Sequence, residues 1–184
     1  MPVSLLLILL LACGVVRAET AEFASADAEQ VRAQLQYYYF DAARRGDTSM
    51  FEKFIAAGYD LDSADGQGYT ALILAAYHGH DALVQRLLAA GADPCAQDRR
   101  GNTALMGAIF KGELSIARRL LGARCHPDQR NGAGQTAAMY AALFQRRELL
   151  QMLAERGADL QAEDVLGNSA ARLEQGEIHG QLRR

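Results

Sequence analysis

The 184-residue sequence predicts an all-α solenoid built from stacked helix–turn–helix units joined by hairpin-like turns. Three observations carry this expectation. A glycine-centred turn returns every 33 residues, at Gly68, Gly101, Gly134 and Gly167. Asp65, Asp98, Asn131 and Asp164 precede these glycines in register, and Thr70, Thr103, Thr136 and Ser169 follow them. Behind each turn an apolar stripe recurs at helical spacing. Self-similarity at a fixed period marks a stack of one unit that buries its apolar face against its neighbours.

Each unit reads as turn, short helix, tight glycine turn, longer helix and loop. Asp with a Gly three residues on suits the turn. The Thr or Ser after it is a good helix N-cap, because its hydroxyl accepts an orphan backbone N–H. The first helix carries a small pair, Ala42–Ala43, Ala75–Ala76, Ala108–Ile109 or Ala141–Ala142, where helices approach closely. Gly46, Gly79 and Gly112 then break the chain, with Gln145 in the fourth copy. The second helix presents Leu83, Val84, Leu87 and Leu88, then Ile116, Ala117, Leu120 and Leu121, then Leu149, Leu150, Leu153 and Ala154. The i, i+1, i+4, i+5 spacing is one helix face. Upstream, Met50, Phe51, Phe54 and Ile55 repeat it. Gly58, Gly91 and Gly157 close three second helices, where a left-handed residue is often needed. Arg124 stands there in the third copy, so that helix end is expected to be rearranged.

These residues resemble the ankyrin repeat. The fullest copy runs from Asp65 to Asp93, with Thr70-Ala71-Leu72, Ala75-Ala76, Gly79-His80, Val84, Leu87-Leu88 and Gly91-Ala92-Asp93. The resemblance covers about residues 36 to 178. It implies four to five repeats including caps: an N-terminal helical capping segment at 19–35, an irregular first repeat at 36–63, repeats at 64–96, 97–129 and 130–162, and a truncated capping repeat at 163–184. It also implies that His80 helps to cap the second helix. The family's Pro after Thr is Ala71, Ala104 and Ala137 here, and its His two places later is Ile73, Met106 and Met139. Turns less regular than the family's are expected in consequence.

At the ends the pattern changes. Residues 1–18 read as a signal peptide, with an apolar run from Leu5 to Ala12 and a small-x-small cleavage site at Val16-Arg17-Ala18. The run is too short to span a bilayer. Met1–Ser4 lacks the usual positive charge. Leu10-Leu11-Ala12-Cys13 offers a rival, lipoprotein-like reading with a lipid anchor on Cys13, and an uncleaved anchor is the third. All three place the repeats outside the cytoplasm, in the periplasm or secreted. Tyr37-Tyr38-Tyr39-Phe40 either fills the open end of the stack or forms an exposed patch. The last unit turns polar towards Arg183 and Arg184, as a solubilising cap does.

Composition excludes several function classes. The net charge is −3, and no basic stripe suited to nucleic acid stands out. The sequence contains no phosphate loop, Gly-x-Ser-x-Gly or His-Glu-x-x-His motif. His78 and His80 are two apart and do not share a helix face. Cys95, Cys125 and His126 fall near one joint but lack the paired short spacing of a zinc site. Neither catalytic residues nor a metal or cofactor are therefore expected. Cys95 and Cys125 lie 30 residues apart in loops of neighbouring units. An oxidising compartment permits a disulfide there. Equivalent positions in adjacent units are about 10 Å apart, too far for a bridge, and the three-residue offset closes or widens that gap. A bridge and two small loop residues both remain open.

What is left is a recognition surface. Variable positions of turns and first helices line the concave face of such a stack. They are Arg44, Arg45, Gln67, Tyr69, Tyr77, His78, Arg100, Asn102, Phe110, Lys111, Gln135 and Phe144. Tyr77, Phe110 and Phe144 either form an anchor strip for a partner or pack between helices. The expected function is a monomeric, exported adaptor that binds one protein partner. Resemblance to exported bacterial ankyrin-repeat proteins, some linked to periplasmic catalase and peroxide defence, implies a haem-enzyme client. A secreted effector or immunity protein that blocks an enzyme is the alternative.

Overall fold

The computed structural model describes residues 28–179. The leader with Cys13, residues 19–27 and the Arg183–Arg184 end lie outside the described residues. The chain divides into two units, Met1–Tyr38 and Tyr39–Arg184. In the first, residues 28–38 are helical, with Tyr37 and Tyr38 exposed and packed edge to face.

The second unit is a row of helix pairs. Helix α1 (39–45) pairs with α2 (Thr48–Ala56), α3 (Ala71–Tyr77) with α4 (Asp81–Ala89), α5 (Ala104–Lys111) with α6 (Leu114–Leu121), and α7 (Ala137–Leu143) with α8 (Arg147–Glu155). Helix α9 (Ala170–Glu174) closes the row against α7. The core runs the length of the row. The small pairs of the first helices are buried in it, as are Phe51, Leu83, Leu87, Ile116, Leu120, Leu149 and Leu153 of the second helices. At the start, buried Tyr39 packs on Phe51, Phe54 and Tyr59 and donates its hydroxyl to the Leu61 carbonyl at 2.9 Å. The four-residue aromatic run is thus split: Tyr39 and Phe40 fill the core and Tyr37 and Tyr38 do not.

The turns are more regular than the missing family Pro and His suggest. In every copy one carboxylate or amide oxygen accepts two backbone N–H groups. Asp65 Oδ1 takes those of Gln67 and Tyr69, and Asp98 Oδ1 those of Arg100 and Asn102. Asn131 and Asp164 do the same for 133 and 135, and for 166 and 168. The Asp/Asn column thus organises the turns without the family's Pro and His. Thr70, Thr103, Thr136 and Ser169 cap the following helices through their side chains. Neighbouring turns are zipped by backbone bonds, Arg99 N–H to Gln67 O, Gly132 N–H to Arg100 O and Val165 N–H to Ala133 O. Gly68 shows why the turn needs glycine. Its φ is +82°, and a Cβ there would come within 2.7 Å of the Arg99 nitrogen.

Two sequence expectations need correction or detail. His80 does not cap its own helix through its side chain. Its Nε2 pairs at 2.7 Å with the Arg44 carbonyl at the end of α1, so it caps the helix of the preceding copy. The third second-helix does end differently. Helix α6 stops at Leu121, and Gly122 keeps a right-handed φ of −65°. Elsewhere Gly58, Gly91 and Gly157 are left-handed, and the residue after each returns its N–H to the helix. Gln145, standing for a glycine, takes the left-handed φ of 55° itself.

Candidate functional site

Turns and first helices together form a groove of about 480 Å³ over the second and third copies. Its helical wall carries Tyr77 from the end of α3 and Phe110 from the end of α5. Both rings remain exposed, 38% and 47%. They stack nearly parallel, with centroids 6.2 Å apart, and Phe144 meets Phe110 edge-on at 5.3 Å. Lys111 Nζ lies 5.0 Å from the Tyr77 ring centroid, a cation–π arrangement. The three rings therefore pack on each other across copies, with Tyr77 and Phe110 exposed and Phe144 half-buried at the end of the strip.

Gly107 explains the space beside this strip. It sits in the middle of α5, in the column that holds Leu74 one copy earlier and Tyr140 one copy later. A Cβ at Gly107 would only touch the Tyr77 ring, at 3.8 Å. Glycine inside a helix costs about 1 kcal/mol relative to alanine, and no positive φ demands it here.

The turn wall is polar. Arg44 binds Asp65 at 3.0 Å. Asn102 joins two copies: its amide donates to Asp98, and its oxygen accepts from Asn131 and the Tyr140 hydroxyl. Burial pushes the Tyr140 phenol above its ordinary value, so it stays a neutral donor. Burial also lowers His78, helped by His80, Lys111 and Arg44, which keeps its imidazole neutral at pH 7.

A family model described as ankyrin repeats (3 copies) matches residues 39–131 and 82–164. This chain belongs to the ankyrin-repeat family. No curated protein matches it. Chains built of ankyrin repeats are protein–protein interaction modules, typically without catalysis of their own.

The ankyrin groove gathers Arg44, Gln67, Tyr69, Tyr77, His78, Arg100, Asn102 and Phe110 from the sequence-chosen residues. Lys111 stands over its wall. Phe144 continues the strip beyond it, while Gln135 is tied to Asn131 and Arg45 to Asp41 on its own helix. Sequence reasoning missed Asp65, Asp98, Gly107 and Tyr140. The Leu74–Gly107–Tyr140 column carried the signal, because its residue type changes from copy to copy while the next column stays alanine at Ala75, Ala108 and Ala141.

Away from the groove, Cys95 and Cys125 are joined in a disulfide, with Cα atoms 5.5 Å apart. His126 is turned to its own loop, where Nδ1 accepts the Asp128 N–H. Among the described residues no cluster of His, Cys, Asp or Glu is placed to hold a metal ion, and no helix is long and apolar enough to cross a membrane.

Proposed function

We propose that the chain is an exported adaptor that docks one protein partner in the groove beside Tyr77 and Phe110. The exposed, stacked ring strip carries this reading. Aromatic anchors ringed by polar groups are the usual form of an interface hot spot, and rings held by one another lose little freedom on binding. Export is supported by the signal-peptide pattern of residues 1–18 and by the disulfide, which belongs in an oxidising compartment. The client we favour is a haem enzyme of the catalase kind in the periplasm, on the resemblance to exported ankyrin-repeat proteins.

Tagged full-length chain, expressed in its own host, should capture a dominant client from the periplasmic fraction. Tyr77→Ala/Phe110→Ala should lose that client while its circular dichroism stays unchanged. Undiminished capture would remove the groove from consideration. A client other than a haem enzyme would keep the adaptor and discard the peroxide link. Fusion of the full chain to alkaline phosphatase, which needs its disulfides for activity, tests export: an inactive fusion would argue against it.

A further inference from the structure

We propose that the groove recognises a segment of another protein that carries acidic side chains among apolar or aromatic ones. The proposal rests on the groove being the docking surface and names the chemistry of what enters it.

Charge supplies the first argument. The chain as a whole is acidic, at −3. The groove is not. Arg100 is exposed in its lining and Lys111 projects over the Tyr77 ring, and among the described residues neither has an acidic partner. The two nearby acids are already engaged. Asp65 is paired with Arg44, and Asp98 accepts from the backbone and side chain of its own turn. With Asp65 offset by Arg44, Arg100 and Lys111 stand against Asp98 for a net of one positive charge, and the two cations are exposed while Asp98 is buried in its turn. The fall in the His78 pKa agrees, since Lys111 and Arg44 contribute to it after burial and His80. Carboxylates on a partner would complete these cations and speed encounter.

Spacing supplies the second. The ring centroids step by 6.2 and 5.3 Å along the row. Side chains on one face of an extended chain step by about 6.6 Å, twice the rise per residue. Successive same-face apolar residues can thus meet successive rings, with acidic neighbours within reach of Arg100 and Lys111. One turn of a helix rises about 5.4 Å, so the ring spacing accepts a helical segment as well as an extended one. A nucleic acid would need a longer basic stripe than two cations provide.

Random dodecapeptides displayed on phage, selected on the immobilised full chain, test this directly. Selected peptides are expected to combine Asp or Glu with Phe, Tyr, Leu or Ile. Synthetic copies should bind at least tenfold more weakly to Arg100→Glu/Lys111→Glu, and to wild type at high salt. Peptides without acidic bias that still depend on Tyr77 and Phe110 would overturn the acidic-segment proposal and leave the groove standing. Peptides indifferent to Tyr77→Ala/Phe110→Ala would overturn both. Equal binding of a labelled oligothymidine at the same cations would also sink the protein-segment assignment.

Discussion

The joint between the third and fourth copies and the joint between the second and third do the same job by different chemistry. In the former, Asp128 Oδ1 accepts the Asp159 N–H of the next loop at 2.9 Å. Helix α8 then ends on left-handed Gly157, and the Ala158 N–H returns to the Leu153 carbonyl at 3.0 Å. The first joint repeats both features, with Asp62 to the Asp93 N–H and Ala92 N–H to Leu87 O. At the second joint both columns change. Cys95 stands in the register of Asp62 and Asp128, and Cys125 in that of Ala92 and Ala158. The hydrogen bonds that hold the other joints are replaced by one covalent link between those two positions. With Arg124 where glycine belongs, α6 ends a residue early, and the Arg156 guanidinium from the next copy reaches back to the Leu121 carbonyl. The lesson is that a repeat tolerates losing its helix-closing glycine when one neighbour supplies a tether and the other a donor.

Breaking the covalent link is the largest test of that comparison. The bridge closes a loop with a sequence separation of 30, and closing a loop of that length stabilises by about 3–4 kcal/mol through the unfolded chain. Cys95→Ser/Cys125→Ser, or simple reduction, should lower the unfolding free energy by that amount and the urea midpoint with it, while the slope rises as the unfolded chain expands. Asp128→Ala at the regular joint removes one hydrogen bond and should cost only about 1 kcal/mol. Equal losses at the two joints would mean that the disulfide adds no more than the hydrogen bonds it replaces.

Restoring the glycine sharpens the same contrast with a smaller effect. In the cysteine-free chain Arg124→Gly should gain about 1 kcal/mol, because position 124 can turn left-handed and the N–H of 125 can return to Leu120. In the bridged chain the same change should gain nothing and lose a few tenths of a kcal/mol to unfolded-chain entropy. A double-mutant cycle measures the coupling. Additive effects would break the link between Arg124 and the disulfide.

Much of this was legible in sequence, and what was not has a physical cause. The turn columns Asp65, Gly68 and Thr70 act within one copy, so their spacing revealed both fold and caps. The early end of α6 could be read from Arg124, since left-handed backbone restricts residue type. The target of His80 could not be read, because its side chain crosses to the carbonyl of the preceding copy. Nor could the Cys95–Cys125 pairing be decided, because a three-residue offset on a 10 Å step can open or close a gap. In the groove, Tyr77 and Phe110 were legible as variable positions, but their exposure was not, because a ring there can also pack between helices. Tyr140 was hidden because its role depends on Asn102 and Asn131 from two turns. Gly107 was hidden because it acts by leaving space.

The smallest expected effect concerns the ion pair that crosses the same disulfide-bearing joint. Arg119 binds Asp81 through two bonds of 2.9 Å. Those bonds hold the Asp81 carboxyl below its ordinary value near 3.8. A carboxylate with a depressed folded-state pKa stabilises above its unfolded pKa and loses that contribution as pH falls through the folded one. The pair therefore helps at neutral pH and fades below about pH 4. Both side chains are about a third exposed, so solvent screening keeps the contribution below about 1 kcal/mol. Urea midpoints of wild type and Asp81→Asn should differ at pH 7 and low salt, and converge at pH 3 or in high salt. A difference that survives acid would assign the loss to packing of the Asp81 side chain, leaving the disulfide as the main tether of that joint.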